Sequence, residues 1–286
     1  MCGRYVVISK LKVIEKRFRT LPSPDDLFSS NSNISIGTYA PVITNQSPQK
    51  IQLFKFGLTP FWAKKQFYTF NARSEGDHNK ENDPNYKGSM GIIQKPMFRH
   101  AIRSQRCLVI TDAFIEGPKK EKLSKPYLIY MRDGQHPFAL AGIWDSWTDK
   151  STGEIINSFA IITTTANDLL QKIGHHRSPV ILAKNDEQYW LSDLPLSEVT
   201  DLLKPYPSDE LNAYPISPEI KNPRNTDLNL LRPQGDRIYT EYDYEIYEQL
   251  KLEGMGMSRA RSRKLTEGQA LKEKSQKNQP PSLFDN

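Results

Sequence analysis

Cysteine is nearly absent from this chain: 286 residues include only Cys2 and Cys107. Two thiols are too few for a disulfide framework or a thiolate zinc site, so a cysteine that matters here is expected to matter through reactivity. Long apolar runs are missing as well. No stretch approaches the ~18–20 residues needed to span a bilayer, and the first residues lack the basic, apolar and small-residue succession of a signal peptide. A soluble, cytoplasmic chain with no membrane partner is expected. There is no internal repeat, no phosphate-binding glycine loop, no dinucleotide-binding glycine pattern and no H-E-x-x-H, so no cofactor and no metal is expected. An excess of one charge is also scarce over most of the length. The formal net charge is +6, but from Lys251 onward eight Lys/Arg face four Asp/Glu, which leaves residues 1–250 with 31 against 29. Nucleic-acid binding by the body therefore requires a local basic cleft, whereas the tail offers a diffuse attraction for phosphates.

What is present points to a folded body with polar appendages. The hydrophobic fraction is 37% and the mean hydropathy −0.63, low for a compact enzyme, yet 13 Tyr, 12 Phe and 4 Trp argue against wholesale disorder. After an extended start, Leu11, Ile14 and Phe18 recur at helical spacing, and Pro22 and Pro24 end that helix. The segments from Ile51, Arg106, Pro126, His136 and Asn157 are short, β-branched or aromatic, and bounded by turn residues, as strands are. The stretch from Arg106 to Gly117 reads as one strand ending at Glu116. Two polar segments, from Gly76 and from Gly117, read as exposed loops. A capped helix is expected near Thr165, stopped by Gly174, then a loop H-H-R-S-P and the apolar strand P-V-I-L-A. Further helical pieces fall in D-E-Q-Y-W-L and L-S-E-V-T-D-L-L. The fold class is α+β: a single domain over residues 2–235, a mainly antiparallel β-sheet core with flanking helices. A helical extension over 236–254 and a disordered basic tail over 255–286 complete the expected organisation.

Four features carry chemistry. The chain opens M-C-G-R-Y. A small second residue favours removal of the initiator Met, which leaves Cys2 with a free α-amine beside its thiol. With reference pKa values of ~7.7–8.0 and ~8.5, such a 1,2-aminothiol condenses with an aldehyde and closes a five-membered thiazolidine ring. The plain alternative is an ordinary second residue. In Y-T-F-N-A-R-S-E, Asn71, Arg73 and Glu75 share one face at strand periodicity and offer an amide, a guanidinium and a carboxylate; an ordinary ion pair at a strand end is the alternative. Glu116 ends an apolar strand, where partial burial raises a carboxyl toward general acid/base range, or else it is an exposed hairpin glutamate. His175 and His176 follow a helix C-terminus with Arg177 adjacent, either as site residues or as dipole partners.

Taken together, MCGR from Met1, NAR from Asn71, the strand ending at Glu116 and H-H-R-S-P from His175 resemble the SOS-response-associated peptidase family of abasic-site processing proteins. The segments FGLTPFW, AGIWD, SFAIITTTAND and YPISPEIKNPRN extend the resemblance from residue 1 to about 235. It implies covalent capture of the ring-opened abasic-site aldehyde, in single-stranded DNA or near a single-strand/double-strand junction, as a thiazolidine on Cys2. It implies single-turnover chemistry that shields the site from strand cleavage, after autocatalytic or aminopeptidase removal of Met1. By the same resemblance Asn71 and Arg73 position the sugar and its phosphates, Glu116 transfers protons, and His175 assists ring opening and cross-link reversal. Arg4 and Arg177 join the expected DNA contacts. Pro60-Phe61-Trp62 offers aromatic faces to the neighbouring bases, with core packing as the alternative for Phe61 and Trp62. His176 stands where the family more often has Asp, the segment Gly37-Thr38-Tyr39-Ala40-Pro41 lacks a usual Asn, and Phe56 replaces a frequent Trp.

Two rival readings differ in class: an N-terminal-nucleophile thiol peptidase or amidohydrolase using Cys2 and His175, and a non-catalytic single-stranded DNA-binding module. The chain end, Gln279 to Phe284, is similar to short peptides by which bacterial repair proteins dock on sliding clamps, on a flexible tether. The expected partner is single-stranded DNA with abasic sites, bound covalently by a monomer, with the protein nucleoid-associated if bacterial.

Overall fold

The computed structural model describes residues 2–240. The chain begins with β1 (Arg4–Val7), whose Tyr5, Val6 and Val7 are all buried, followed by α1 (Leu11–Phe18). Leu11, Ile14 and Phe18 form the buried stripe of α1, which stops at Arg19 in the left-handed region, φ 55°. Then come β2 (Asn31–Ser35), β3 (Tyr39–Thr44), β4 (Ser47–Phe56), the three-residue β5 (Asn71–Arg73) and the single turn α2 (Ala101–Ser104). The apolar middle of the chain supplies β6 (Arg106–Thr111), β7 (Ala113–Glu116), β8 (Tyr127–Met131), β9 (Phe138–Thr148) and β10 (Ile155–Thr165). The last elements are α3 (Asp168–Lys172), β11 (Arg177–Pro179), β12 (Ile181–Leu182), α4 (Lys184–Leu191), α5 (Leu196–Asp201) and β13 (Leu211–Pro215).

The strands form two sheets. In the larger, β4, β3, β6, β9 and β10 pair in succession, and β10 pairs with both β9 and β4, closing a small barrel. Closure removes the open edges. Among the described residues only the pairings of β10 with β4 and with β5 are parallel, so the expected antiparallel α+β core is present. The second sheet runs β13-β8-β7-β1-β2 and is antiparallel throughout. Phe56 sits at the centre of the core. It stacks on Phe159 at 5.2 Å and meets Tyr5 and Phe70 edge-on, so a ring stands where a larger indole would serve packing alone.

Asp112 decides how the sheets join. The run from Arg106 to Gly117, expected as one strand, breaks there into β6 and β7. Asp112 N donates to Val6 O at 2.8 Å, while its carboxylate accepts from Ile8 N at 2.6 Å, Ser9 N at 2.7 Å and Ser9 Oγ at 2.6 Å. A buried carboxylate must find donors, and three of these lie on the N-terminal segment, while His136 Nδ1 stands 3.1 Å from Oδ1. The chain thus leaves the barrel at β6 and enters the second sheet as β7 against β1, which brings Glu116 to the Cys2 end of β1.

Other sequence expectations shift in detail. The α3 cap is Asn167, whose side chain accepts from Leu170 N, rather than Thr165, which still belongs to β10. Arg177 to Pro179, expected in a loop, form β11 against β10. No helix begins within residues 236–240; Ile238 N and Tyr239 N instead bond back to Ala213 O and Asn212 Oδ1. The remainder of the expected extension, the basic tail and the Gln279–Phe284 segment lie outside the described residues. Among those described, no helix is long and apolar enough to cross a membrane.

Candidate active site

Cys2 enters the site because β1 is an inner strand, between β2 and β7, so the chain start is drawn into the fold. Its side chain is 1% exposed, with Sγ 3.9 Å from Arg4 O. Burial first, then the Glu116 charge, push the thiol well above its ordinary pKa. β5 supplies the second group. Asn71 is fixed opposite Ile161 of β10 and donates from Nδ2 to Cys2 O at 3.2 Å, while its Oδ1 is buried with no hydrogen-bond partner among the described residues.

The third and fourth groups come together from β7 and α3. Gly174 ends α3 with φ +76°, and His175 N bonds to Leu170 O at 2.8 Å, a helix-closing turn that aims the following side chain inward. His175 Nδ1 lies 2.6 Å from Gly117 O and Nε2 3.4 Å from Glu116 Oε2. A carbonyl only accepts, so Nδ1 carries the proton and Nε2 presents a lone pair to Glu116. Burial raises Glu116 to about 7 against the pull of the terminal ammonium, and burial chiefly lowers His175 to about 4. Although the pair is within ion-pair distance, at neutral pH it is a neutral imidazole facing a carboxyl raised into the neutral range. The sequence suggests the histidine as the group titrating near neutrality; the buried surroundings give that part to the glutamate. His176 packs on His175 with ring centroids 5.0 Å apart, and burial, then His175, lower it to about 4.

Above these groups opens a cleft of ≈ 770 Å³. Glu116, His175 and His176 line it. Arg4, Lys119, Lys120, Lys122 and Lys221 supply basic groups around it, and the lysines are exposed. Glu121, also at the cleft, faces Lys125 at 3.8 Å. The basic cleft that the near-neutral body requires is therefore local to the buried carboxyl. No motif marks these lysines, because the segment from Gly117 has the composition of any solvated loop. The signal lay in its position directly after Glu116. Glycine is demanded there: a Cβ on Gly117 would lie 1.8 Å from Lys122 O, so the loop folds back onto the residue whose carbonyl holds His175.

The other expected residues take different places. Arg4 is half-buried, donates from Nη2 to Lys221 O at 3.1 Å and keeps Nη1 without a partner among the described residues. Arg73 donates to Asn79 O and, at 2.8 Å, to Asn82 Oδ1, so the polar segment from Gly76 holds its guanidinium. Glu75 does not share a strand face with Asn71 and Arg73, because β5 ends at Arg73. It is buried and takes Arg177 in a two-pronged pair of 2.8 and 2.7 Å; Arg177, 2% exposed, also donates to Thr163 O. Arg177 is therefore committed inside the protein. Phe61 and Trp62 are 56% and 49% exposed, away from the cleft lining, so they are not core residues. The described residues contain no cluster of three or more metal-ligating side chains.

Comparison with known proteins converges on one family. The family model for SOS response associated peptidase (SRAP) matches residues 1–223. The abasic site processing protein YoaM of Bacillus subtilis (strain 168) is 30% identical over 239 residues, covering 81% of this chain and 97% of that protein. YoqW of the same organism, also an abasic site processing protein, is 27% identical over 238 residues, covering 81% and 99%. A crystal structure of a protein from Bacteroides thetaiotaomicron superposes with a TM-score of 0.70 at 29% identity, covering 82% of this chain and all of that one.

Proposed function

The chain belongs to the SOS response associated peptidase family, and from that premise and the site geometry we propose that it processes abasic sites in DNA by covalent capture on Cys2. Removal of Met1 frees the Cys2 amine. The amine adds to the C1′ aldehyde of the ring-opened sugar, and the carbinolamine loses water to give an imine. The thiol then adds to the imine carbon, with its proton passing to nitrogen. The net change is aldehyde plus aminothiol to thiazolidine plus water, without an oxidant or cofactor.

The observation that carries this reading is the Glu116 carboxyl, titrating near 7 at the Cys2 end of β1. Such a group protonates the departing hydroxyl in one step and accepts a proton in the next, the behaviour general acid/base catalysis requires. Its partner His175, a neutral imidazole with Nε2 3.4 Å from Glu116 Oε2, accepts a hydrogen bond from the protonated carboxyl and orients it during sugar-ring opening and reversal. Asn71 holds the Cys2 carbonyl and so fixes the attacking residue. Arg4 and the lysines at the cleft attract the flanking phosphates, and Phe61 and Trp62 give bases a stacking surface.

A thiol hydrolase fits less well. It needs a thiol of lowered pKa beside a cationic partner, whereas Cys2 is raised by burial and by Glu116. The deciding experiment mixes the mature protein with single-stranded DNA carrying one abasic site and reads a denaturation-resistant one-to-one adduct by mass. Protein with a non-removable residue before Cys2 keeps the thiol and loses the aminothiol. Equal cross-linking by that blocked form would refute the thiazolidine mechanism.

A further inference from the structure

We propose that Tyr68, Tyr39 and Lys55 form a second nucleic-acid subsite, a stacking track that carries the strand out of the cleft, resting on the reading of this protein as a binder of abasic DNA. The track begins inside the cleft. Ser35 to Thr38 make a tight turn, closed by Thr38 N to Ser35 O at 3.0 Å with Gly37 at φ +91°, which places Ile36 on the cleft lining yet 41% exposed. Phe70, two residues beyond Tyr68, lines the same cleft. Tyr68 is seated on bare backbone: a Cβ on Gly57 would approach it to 3.2 Å, and one on Gly37 would reach its ring at 4.0 Å. Two glycines thus make room for one aromatic ring that is 46% exposed. Tyr39 and Lys55 face each other across β3 and β4, and Lys55 Nζ stands 5.9 Å from the Tyr39 ring centre and 5.5 Å from that of Tyr68. Tyr39 is 47% exposed, and Lys55 pairs with no carboxylate among the described residues.

The chemistry of this surface selects its occupant. Two half-open rings flanking a cation without an acidic partner suit a chain of aromatic bases joined by phosphates, since bases stack on rings without regard to sequence while the ammonium meets the backbone. An apolar peptide would strand the ammonium. Continuity through Ile36 and Phe70 makes the occupant the strand whose abasic sugar lies in the cleft.

The test uses the full-length protein and single-stranded oligonucleotides carrying a tetrahydrofuran abasic analogue, which has no aldehyde and cannot cross-link. One oligonucleotide has nucleotides on both sides of the analogue, and two are trimmed on one side each. Tyr39→Ala/Tyr68→Ala is expected to weaken binding of the untrimmed strand roughly 5- to 100-fold. The same change should abolish the affinity penalty of one trim and leave that of the other. Lys55→Gln should flatten the dependence of log K on log salt by about 0.7. The single-turnover cross-linking rate at saturating aldehyde-bearing DNA should stay at the wild-type value, because none of the three residues reaches Cys2 or Glu116. Affinity within twofold of wild type, or both trim penalties intact, overturns the track. If the double variant fails to fold, Tyr68→Leu fills the seat over Gly57 without an aromatic face and is read in the same assay. Absence of cross-linking by the wild-type protein, with the trim pattern still altered by the variants, would refute covalent capture and leave the track standing.

Discussion

Glu116 and His175 face each other at 3.4 Å, and the histidine's other nitrogen is tied to Gly117 O at 2.6 Å. The backbone contact fixes which imidazole nitrogen holds the proton, so only the lone pair of Nε2 faces the carboxyl. With Glu116 at about 7 and His175 at about 4, the proton near neutral pH resides on the carboxyl and is directed toward the ring. Glu116→Gln preserves shape and loses proton transfer, and it should slow single-turnover cross-linking by ~10²–10⁴-fold. The wild-type rate should bend near pH 7, and that bend should be missing in the variant. A wild-type profile flat from pH 6 to 8 would contradict the assignment.

Catalytic burial also has a stability consequence. A glutamate of unfolded pKa ~4.3 raised to about 7 in the fold binds more protons folded than unfolded. Its contribution is fully present below about pH 4 and is lost as pH rises through 7, on the order of 3 kcal/mol for the whole shift. Glu116→Gln should therefore be more stable than wild type at pH 8, and the gap should shrink toward pH 5. His175, lowered to about 4, acts in the opposite window: its contribution is present above about 6.5 and is lost as pH falls through 4. Urea titrations of both proteins at the two pH values read the Glu116 term directly, and equal midpoints at pH 8 would place the carboxyl in a more polar setting than the fold indicates.

The strands of the barrel were legible because burial on both faces leaves continuous apolar runs, as in Phe138 to Trp144 and Phe159 to Ile162. β2, with the sequence Asn-Ser-Asn-Ile-Ser, was not, since its polar side chains are satisfied by distant partners: Asn33 Nδ2 donates to the carbonyls of Ile220, Asn222 and Asn225. No local pattern announces such contacts. Cys2, Asn71, Glu116 and His175 were each identified by residue type and by their resemblance to a family, yet how they are arranged depended on Asp112 turning the chain between sheets. Arg177 shows the converse. Its loop-like neighbours His175 and Pro179 suggested an open guanidinium, while its partner Glu75 lies 102 positions away in sequence.

Asp112 carries a fold-level prediction. Replacing it with Ala leaves Ile8 N and Ser9 N without their acceptor at a point where β1 must pass into α1. Losing charge-assisted bonds to buried amides costs about 1.5–3 kcal/mol each. Asp112→Ala should lose roughly 3–5 kcal/mol in urea unfolding, and Asp112→Asn, which keeps an acceptor oxygen, should lose less. A loss below 1 kcal/mol for the Ala variant would mean that water replaces the carboxylate.

Arg73 and Arg177 should separate cleanly. Arg177 is buried on Glu75, so Arg177→Lys, which cannot keep both prongs, should destabilise the protein and leave the salt dependence of DNA binding unchanged. Arg73 is partly exposed and held by neutral acceptors, which a phosphate can replace. Arg73→Ala should reduce the slope of log K against log salt by ~0.7, the increment for one phosphate contact on a single strand. Equal slopes for wild type and Arg73→Ala would return this arginine to a purely structural place beside Asn82.

The buried thiol gives a direct reading of how Glu116 acts on Cys2. The raised Cys2 pKa has burial as its main cause and the Glu116 charge as the next, whereas Cys107, also buried, is raised by burial alone. At pH 8.5, where Glu116 is ionised, alkylation of Cys2 by iodoacetamide should be slow in the wild type, because thiolate is the reacting form and little of it exists. Glu116→Gln removes the opposing charge and should speed labelling of Cys2 several-fold at constant access. Cys107 serves as the internal control, since any general loosening of the fold would speed both sites together. Peptide mapping by mass resolves the two cysteines in a single sample. Acceleration confined to Cys2 ties the carboxyl to the thiol. Equal acceleration at both sites, or none at Cys2, would separate Glu116 from the nucleophile and leave it acting on the sugar alone.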